Sequence, residues 1–156
     1  MSIEKRKPEK DEVFNVKDAR AYATGCDFQE GMKKTSDYAI VAAEAARMFG
    51  KQGRLSGLVV EVCPGPGNLC GELIKMGAQK TIGIDASETM LDHASDKFSR
   101  EIIQGRMEFK KGWAQKLPIN DGIAKGSVNF HSFHQFKDEQ RAFEALKEMI
   151  RILAPN

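Results

Sequence analysis

The sequence predicts an α/β fold built on a parallel sheet. Three observations carry that expectation. Short apolar runs alternate with segments of helical periodicity along most of the 156 residues, as in chains whose parallel strands are joined by helical crossovers. The first run, LVVEVC at 58–63, is apolar apart from Glu61, which is how a strand buried on both faces reads. It runs into CPGPGN at 63–68, a corner of Gly and Pro at the strand end where open parallel sheets bind ligands.

The elements follow in order. Residues 1–12 carry four basic and four acidic side chains and almost nothing to bury, so they read as a disordered lead-in. Residues 13–34 are ambiguous, because Gly25 and Gly31 interrupt any long helix. Residues 1–34 therefore form an N-terminal extension, partly disordered, and 35–156 form the domain. Thr35 or Ser36 suits the cap of a helix reaching Phe49, with Ile40, Val41, Ala45, Met48 and Phe49 at helical spacing and Gly50 and Gly53 beyond its end. After the first strand, 67–76 reads as a helix stopped by Gly77. A second strand follows at 81–84. Ser87 caps a helix whose Met90, Leu91, Ala94 and Phe98 share a face. Strands are expected at 107–109 and 127–133. The clearest helix is 137–153, with Ala142, Phe143, Leu146, Met149, Ile150 and Leu153 as an apolar stripe.

Composition narrows the function. Hydrophobic residues make up 41% and charged residues 29%, with a formal net charge of +2. That is ordinary globular composition, without the basic excess of a dedicated nucleic-acid binder. The three cysteines, Cys26, Cys63 and Cys70, form no CxxC pair and fit reduced thiols in a cytoplasmic protein. No apolar run approaches the roughly 20 residues of a membrane span, and the charged start is unlike a secretory signal.

The corner has a chemistry of its own. Gly65 and Gly67 permit positive φ and close approach of a ligand to the backbone, while Pro64 and Pro66 stiffen the loop. The helix that follows offers free N–H groups to an anionic group. Asp85 stands at the end of the second strand, 18 residues after Gly67, where an acid accepts hydrogen bonds from a ribose diol. These features point to a nucleoside-bearing ligand. A dinucleotide fingerprint needs a third glycine where Cys70 stands, and no Gly-Lys-Ser/Thr of a P-loop follows.

At these residues the sequence resembles the class I S-adenosylmethionine-dependent methyltransferases. VVEVCPGPGN looks like that family's first motif, with Glu61 at the acid, Gly65 and Gly67 at its second and third glycines, and Cys63 in place of the first. TIGIDASETMLDHA is similar to the second motif, with Asp85 at the ribose-binding acid and Ala86 and Met90 near the adenine. GWAQKLPIND resembles the third, and SFHQF and LKEMIRILAPN resemble the segments around the fourth strand and the next helix. The resemblance implies a Rossmann-like parallel sheet, here incomplete at about four strands. It implies S-adenosyl-L-methionine as cofactor, held by Glu61, Cys63, Gly65, Gly67, Asp85, Ala86, Met90, Trp113 and Ala114.

The sequence also departs from that pattern. Trp113 stands where the family has an Asp that reads the adenine amine; Trp stacks but accepts no hydrogen bond. Lys125, Gly126 and Ser127 replace an acid and apolar residues in the fourth strand, and a Gly in a strand interior weakens it. The family's sheet continues with three more strands, so the domain reads as truncated and the fourth strand as an open edge. Such edges invite pairing, which leads to the expectation of a homodimer.

His131 and His134 lack a third ligand at any familiar spacing, so no metal is expected. His134 is the candidate for a substrate-facing or general-base role, against a structural loop histidine. Cys63 and Cys70 read as packing thiols rather than redox groups. Tyr38 either closes over the cofactor or joins the core. Two functions remain: methyl transfer to a small-molecule acceptor, with no nucleic acid as substrate, or an inactive relative that assembles or senses a ligand.

Overall fold

A computed structural model describes residues 16–32 and 36–155, with the backbone alone at 16 and 27–32. The charged lead-in expected at 1–12 lies outside the described residues. The first element, α1 (Val16–Met32), runs straight through Gly25 and Gly31, which the sequence suggested would interrupt it. Ala19 and Ala23 are fully buried and pack with Met90. That tertiary contact outweighs a glycine cost of only about 1 kcal/mol per residue.

The next helix, α2 (Asp37–Phe49), is capped by Ser36, whose side chain accepts from the Ala39 N–H. The sheet comprises β1 (Leu58–Val62), β2 (Lys80–Asp85), β3 (Met107–Lys111) and β4 (Gly126–Asn129). All pairings are parallel, in the order β3-β2-β1-β4. The intervening helices are α3 (Asn68–Lys75), α4 (Glu88–Lys97) and α5 (Ser99–Ile103), with α6 (Glu139–Arg151) closing the order. The short α5 was not legible in the sequence, because its five residues bury nothing completely.

Strand periodicity sorts the core into two layers. Val59 joins Ala42, Ala46, Leu69, Cys70 and Leu73 on the α2 and α3 side. Val60 and Val62 join Ile82, Ile84, Leu117, Ala145 and Ile152 on the α6 side. Glu61 shares the face of Val59 and so points at α3.

Two expectations change. The fourth strand is shorter than expected, and Gly126 in it is no defect: a Cβ there would lie 2.1 Å from the Phe49 ring, so the missing side chain seats α2. The stripe expected on α6 is not the core face: Phe143 is 54%, Leu146 44%, Ile150 67% and Leu153 38% exposed, Ala142 and Met149 are half-buried, and the residues that reach the core are Ala145 and, just past the helix, Ile152. On the open side of β4, Ala154 donates to the Ala124 carbonyl and Ala124 to that of Ile152, so pairing begins there, while among the described residues Gly126–Asn129 remain an edge.

Candidate functional site

A cavity of about 660 Å³ opens at the carboxyl ends of the strands. Its floor is the corner between β1 and α3. Cys63 leaves β1 with φ 58° while its N–H still bonds the Ile84 carbonyl. Only glycine occupies that left-handed region without strain, which agrees with the glycine this position has in the resembling family. Gly65 follows at φ 52° with open space where a Cβ would be. Gly67, at φ 78°, packs against Phe109 and Ala94 as the cap of α3.

Asp85 ties the corner to β2. One carboxylate oxygen accepts from the Gly65 N–H at 3.1 Å, the other from the Ser87 N–H at 2.9 Å. The carboxylate also accepts from a third backbone donor, Ala86, and with about four acceptor positions in all it keeps room for a diol hydroxyl. Burial holds its pKa above the ordinary carboxylate range, against the backbone donors that lower it. Glu61 is 2% exposed. Burial raises its pKa to about 7; the N–H and thiol of Cys70 lower it, and the Asp85 charge raises it further. Its Oε2 has no hydrogen-bond partner among the described residues. A buried acceptor of this kind calls for a donor.

Burial also pushes the Cys63 thiol up to about 12, with the Asp85 charge adding to it, while a contact with Ser132 opposes. Cys70 is raised as well, first by burial and then by Glu61. Both stay protonated thiols at neutral pH, the state least suited to redox chemistry.

The remaining walls come from distant segments. The loop after β3 is held by the Gly112 N–H on the Asp85 carbonyl and supplies Trp113, Ala114 and Gln115. Arg151 clamps the same loop from α6, donating to the carbonyls of Ile119 at 2.8 Å and Leu117 at 3.1 Å, while Glu148 accepts from the Leu117 N–H at 2.7 Å. The segment after β4 is set by Asn129, which donates to the Val62 carbonyl at 2.7 Å and to Ser132. It brings Phe130, His131, His134 and Phe136 to the wall.

Of the residues expected at the site, Glu61, Cys63, Gly65, Asp85, Ala86, Met90, Trp113, Ala114 and His134 line this cavity. Gly67 does not; it sits behind the wall as the turn into α3. Tyr38 packs against the core cluster, meets Phe130 edge to face at 5.5 Å, and lines the cavity. Sequence reasoning missed Asp18 and Tyr22 of α1, and Gln115. Gln115 lay in the quoted third motif and could have been found there. Asp18 and Tyr22 carry no local signal. Among the described residues no group of three His, Cys, Asp or Glu could hold a metal ion.

The family described as methyltransferase domain matches residues 59–156, and the chain belongs to it. It is a class I S-adenosylmethionine-dependent methyltransferase in fold and motifs. A demethylmenaquinone methyltransferase of Lactococcus lactis is 31% identical over 114 residues, 70% of this chain and 43% of that one. A ribosomal RNA small subunit methyltransferase A of Xanthobacter autotrophicus is 34% identical over 83 residues, 53% of this chain and 28% of that one. The chain thus spans less than half the length of either relative. A protein of Methanococcus maripaludis described as an S-adenosyl-L-methionine-dependent methyltransferase superposes with a TM-score of 0.74 at 23% identity, over 99% of this chain and 63% of that one. The family's cofactor is S-adenosyl-L-methionine, and the residues present fit it. The unpartnered Glu61 oxygen suits an ammonium group, the open Gly65 leaves room for a ligand on the loop, and Asp85 suits a diol.

Proposed function

We propose that the protein transfers a methyl group from S-adenosyl-L-methionine to a small-molecule acceptor bound in the same cavity. The observation that carries this reading is the buried Glu61 oxygen without a partner, at the wall of a cavity whose next strand ends in Asp85. When bound, the cofactor supplies an electrophilic methyl group. Glu61 receives the cofactor's ammonium group through a charge-assisted hydrogen bond. Asp85 receives the ribose hydroxyls while holding Gly65 in place. Trp113 and Met90 flank the adenine, and Gln115 offers the hydrogen-bond acceptor that Trp113 lacks. Gly67 serves indirectly, by setting the turn on which the loop rests.

Catalysis is then chiefly a matter of holding the acceptor in line with the methyl–sulfur bond. His134 is the group proposed to take a proton from the acceptor. The helix α1 contributes Asp18 and Tyr22 to the wall, so the extension before residue 35 takes part in the site. Among the described residues no helix is long and apolar enough to cross a membrane. The rest of the reading is a cytoplasmic protein in which a second copy covers the β4 edge and the apolar face of α6.

Calorimetric titration with S-adenosylmethionine and S-adenosylhomocysteine, beside Asp85→Ala, tests the core of this. Saturable binding, weakened at least tenfold in the variant, is the expected result. A folded protein that binds neither compound would overturn it.

A further inference from the structure

We infer that the acceptor is a flat aromatic ring, uncharged or cationic, that carries no phosphate or carboxylate; this rests on the methyl-transfer reading of the same site. Two independent observations carry it. The first is the concentration of rings. Both tyrosines and the one tryptophan of the sequence line this cavity, and Phe130 and Phe136 line it with them. These rings come from four separate places: α1, α2, the loop after β3 and the segment after β4. Tyr38 and Phe130 meet edge to face at 5.5 Å, and the His131 ring stands against Phe130 at 4.1 Å. The cofactor's one purine does not account for a wall of this extent. Aromatic faces hold planar ligands by stacking, and tolerate many ring types.

The second observation is charge. Three acidic side chains, Asp18, Glu61 and Asp85, line the cavity, and among the described residues no Lys or Arg does. Sites for phosphate or carboxylate are built from Arg, Lys and helix N-termini. Here the lining offers no cationic side chain to pair with an anionic acceptor. A neutral ring needs no such partner. A cationic ring gains from the aromatic faces.

The chemistry follows from the lining. A hydroxyl or amine on the ring presents its lone pair, which forms the new bond to carbon as the carbon–sulfur bond breaks with its electrons left on sulfur. The ring substituent's proton passes to an imidazole nitrogen of His134. His131 is already packed on Phe130, which leaves His134 as the histidine for this role.

The test is calorimetry on the full chain, first with S-adenosylhomocysteine alone and then with the saturated protein titrated against 2-naphthol, N-methylquinolinium and 1-naphthyl phosphate. The expected result is binding of the first two at least tenfold tighter than the phosphate. Phe130→Leu keeps apolar bulk but removes a ring face, and should weaken ring binding severalfold and by more than it weakens S-adenosylhomocysteine binding. Equal or tighter binding of 1-naphthyl phosphate, or no ring binding to protein that takes S-adenosylhomocysteine, would overturn the inference. Rings bound by protein that takes no S-adenosylhomocysteine would overturn the cofactor reading and keep the ring site.

Discussion

Glu61 shows how one residue can carry opposing demands. It sits on the α3 face of β1 because side chains alternate along a strand, and that face is fully covered. Its ordinary pKa of 4.5 rises to about 7 in the folded protein. The sign of the consequence follows from linkage. Above pH 4.5 the unfolded chain loses this proton first, so the folded state binds more protons and stability falls as pH rises. The loss is complete above about pH 7 and is worth on the order of 3 kcal/mol. Glu61→Gln should therefore stabilise the protein at pH 8 and change little at pH 4, while weakening cofactor binding. Chemical denaturation at the two pH values checks this, and equal effects at both would show that the carboxylate is not the origin. Cys63 carries a second, smaller strain of about 1–3 kcal/mol through its positive φ, held in place by the Ile84 hydrogen bond.

At the scale of elements, α1 and the Arg151 clamp matter most. The helix α1 rests on α4 through two fully buried alanines, Ala19 and Ala23. Small residues let two helices approach closely, and they also make the contact easy to break. A carboxylate at Ala23 would have to be buried unpaired, which costs several kcal/mol and exceeds what two alanine contacts supply. Ala23→Asp should release α1, lower S-adenosylhomocysteine affinity at least tenfold, and leave the sheet intact, since both main core clusters lie elsewhere. Calorimetry with circular dichroism separates these effects, and unchanged affinity would mean that Asp18 and Tyr22 contribute nothing to binding. Arg151 acts from the other side. It joins the loop bearing Trp113 to α6 through two carbonyls and Glu148. The Arg151 guanidinium holds the Glu148 carboxyl below its ordinary range.

For the whole molecule, the exposed apolar face is the feature to explain. Phe143, Leu146 and Ile150 on α6 are each more than a third exposed, as are Ile123 and Leu153, and among the described residues β4 is an edge strand. Large exposed apolar patches mark interaction surfaces, and edges recruit strands. The proposed second copy should appear as a dimer in sedimentation at micromolar concentration, and Ile150→Glu should shift it toward monomer. A wild-type monomer across that range would remove the proposal.

Much of this was legible in the residues themselves. The parallel α/β order, the caps Ser36 and Ser87, the glycine corner and the acid at Asp85 depend on local spacing and backbone preference, which a sequence records directly. Most of the expected site residues meet in one cavity for that reason. Other features depend on what lies across the fold. Whether Gly25 breaks a helix depended on the docking of α1 against Met90. Whether Gly126 weakens a strand depended on Phe49. Which side of α6 is buried depended on the sheet beneath it. The aromatic wall and its lack of cations arise from four segments far apart in the chain. Backbone chemistry is written locally, whereas burial and charge environment are properties of neighbours that only the folded chain brings together.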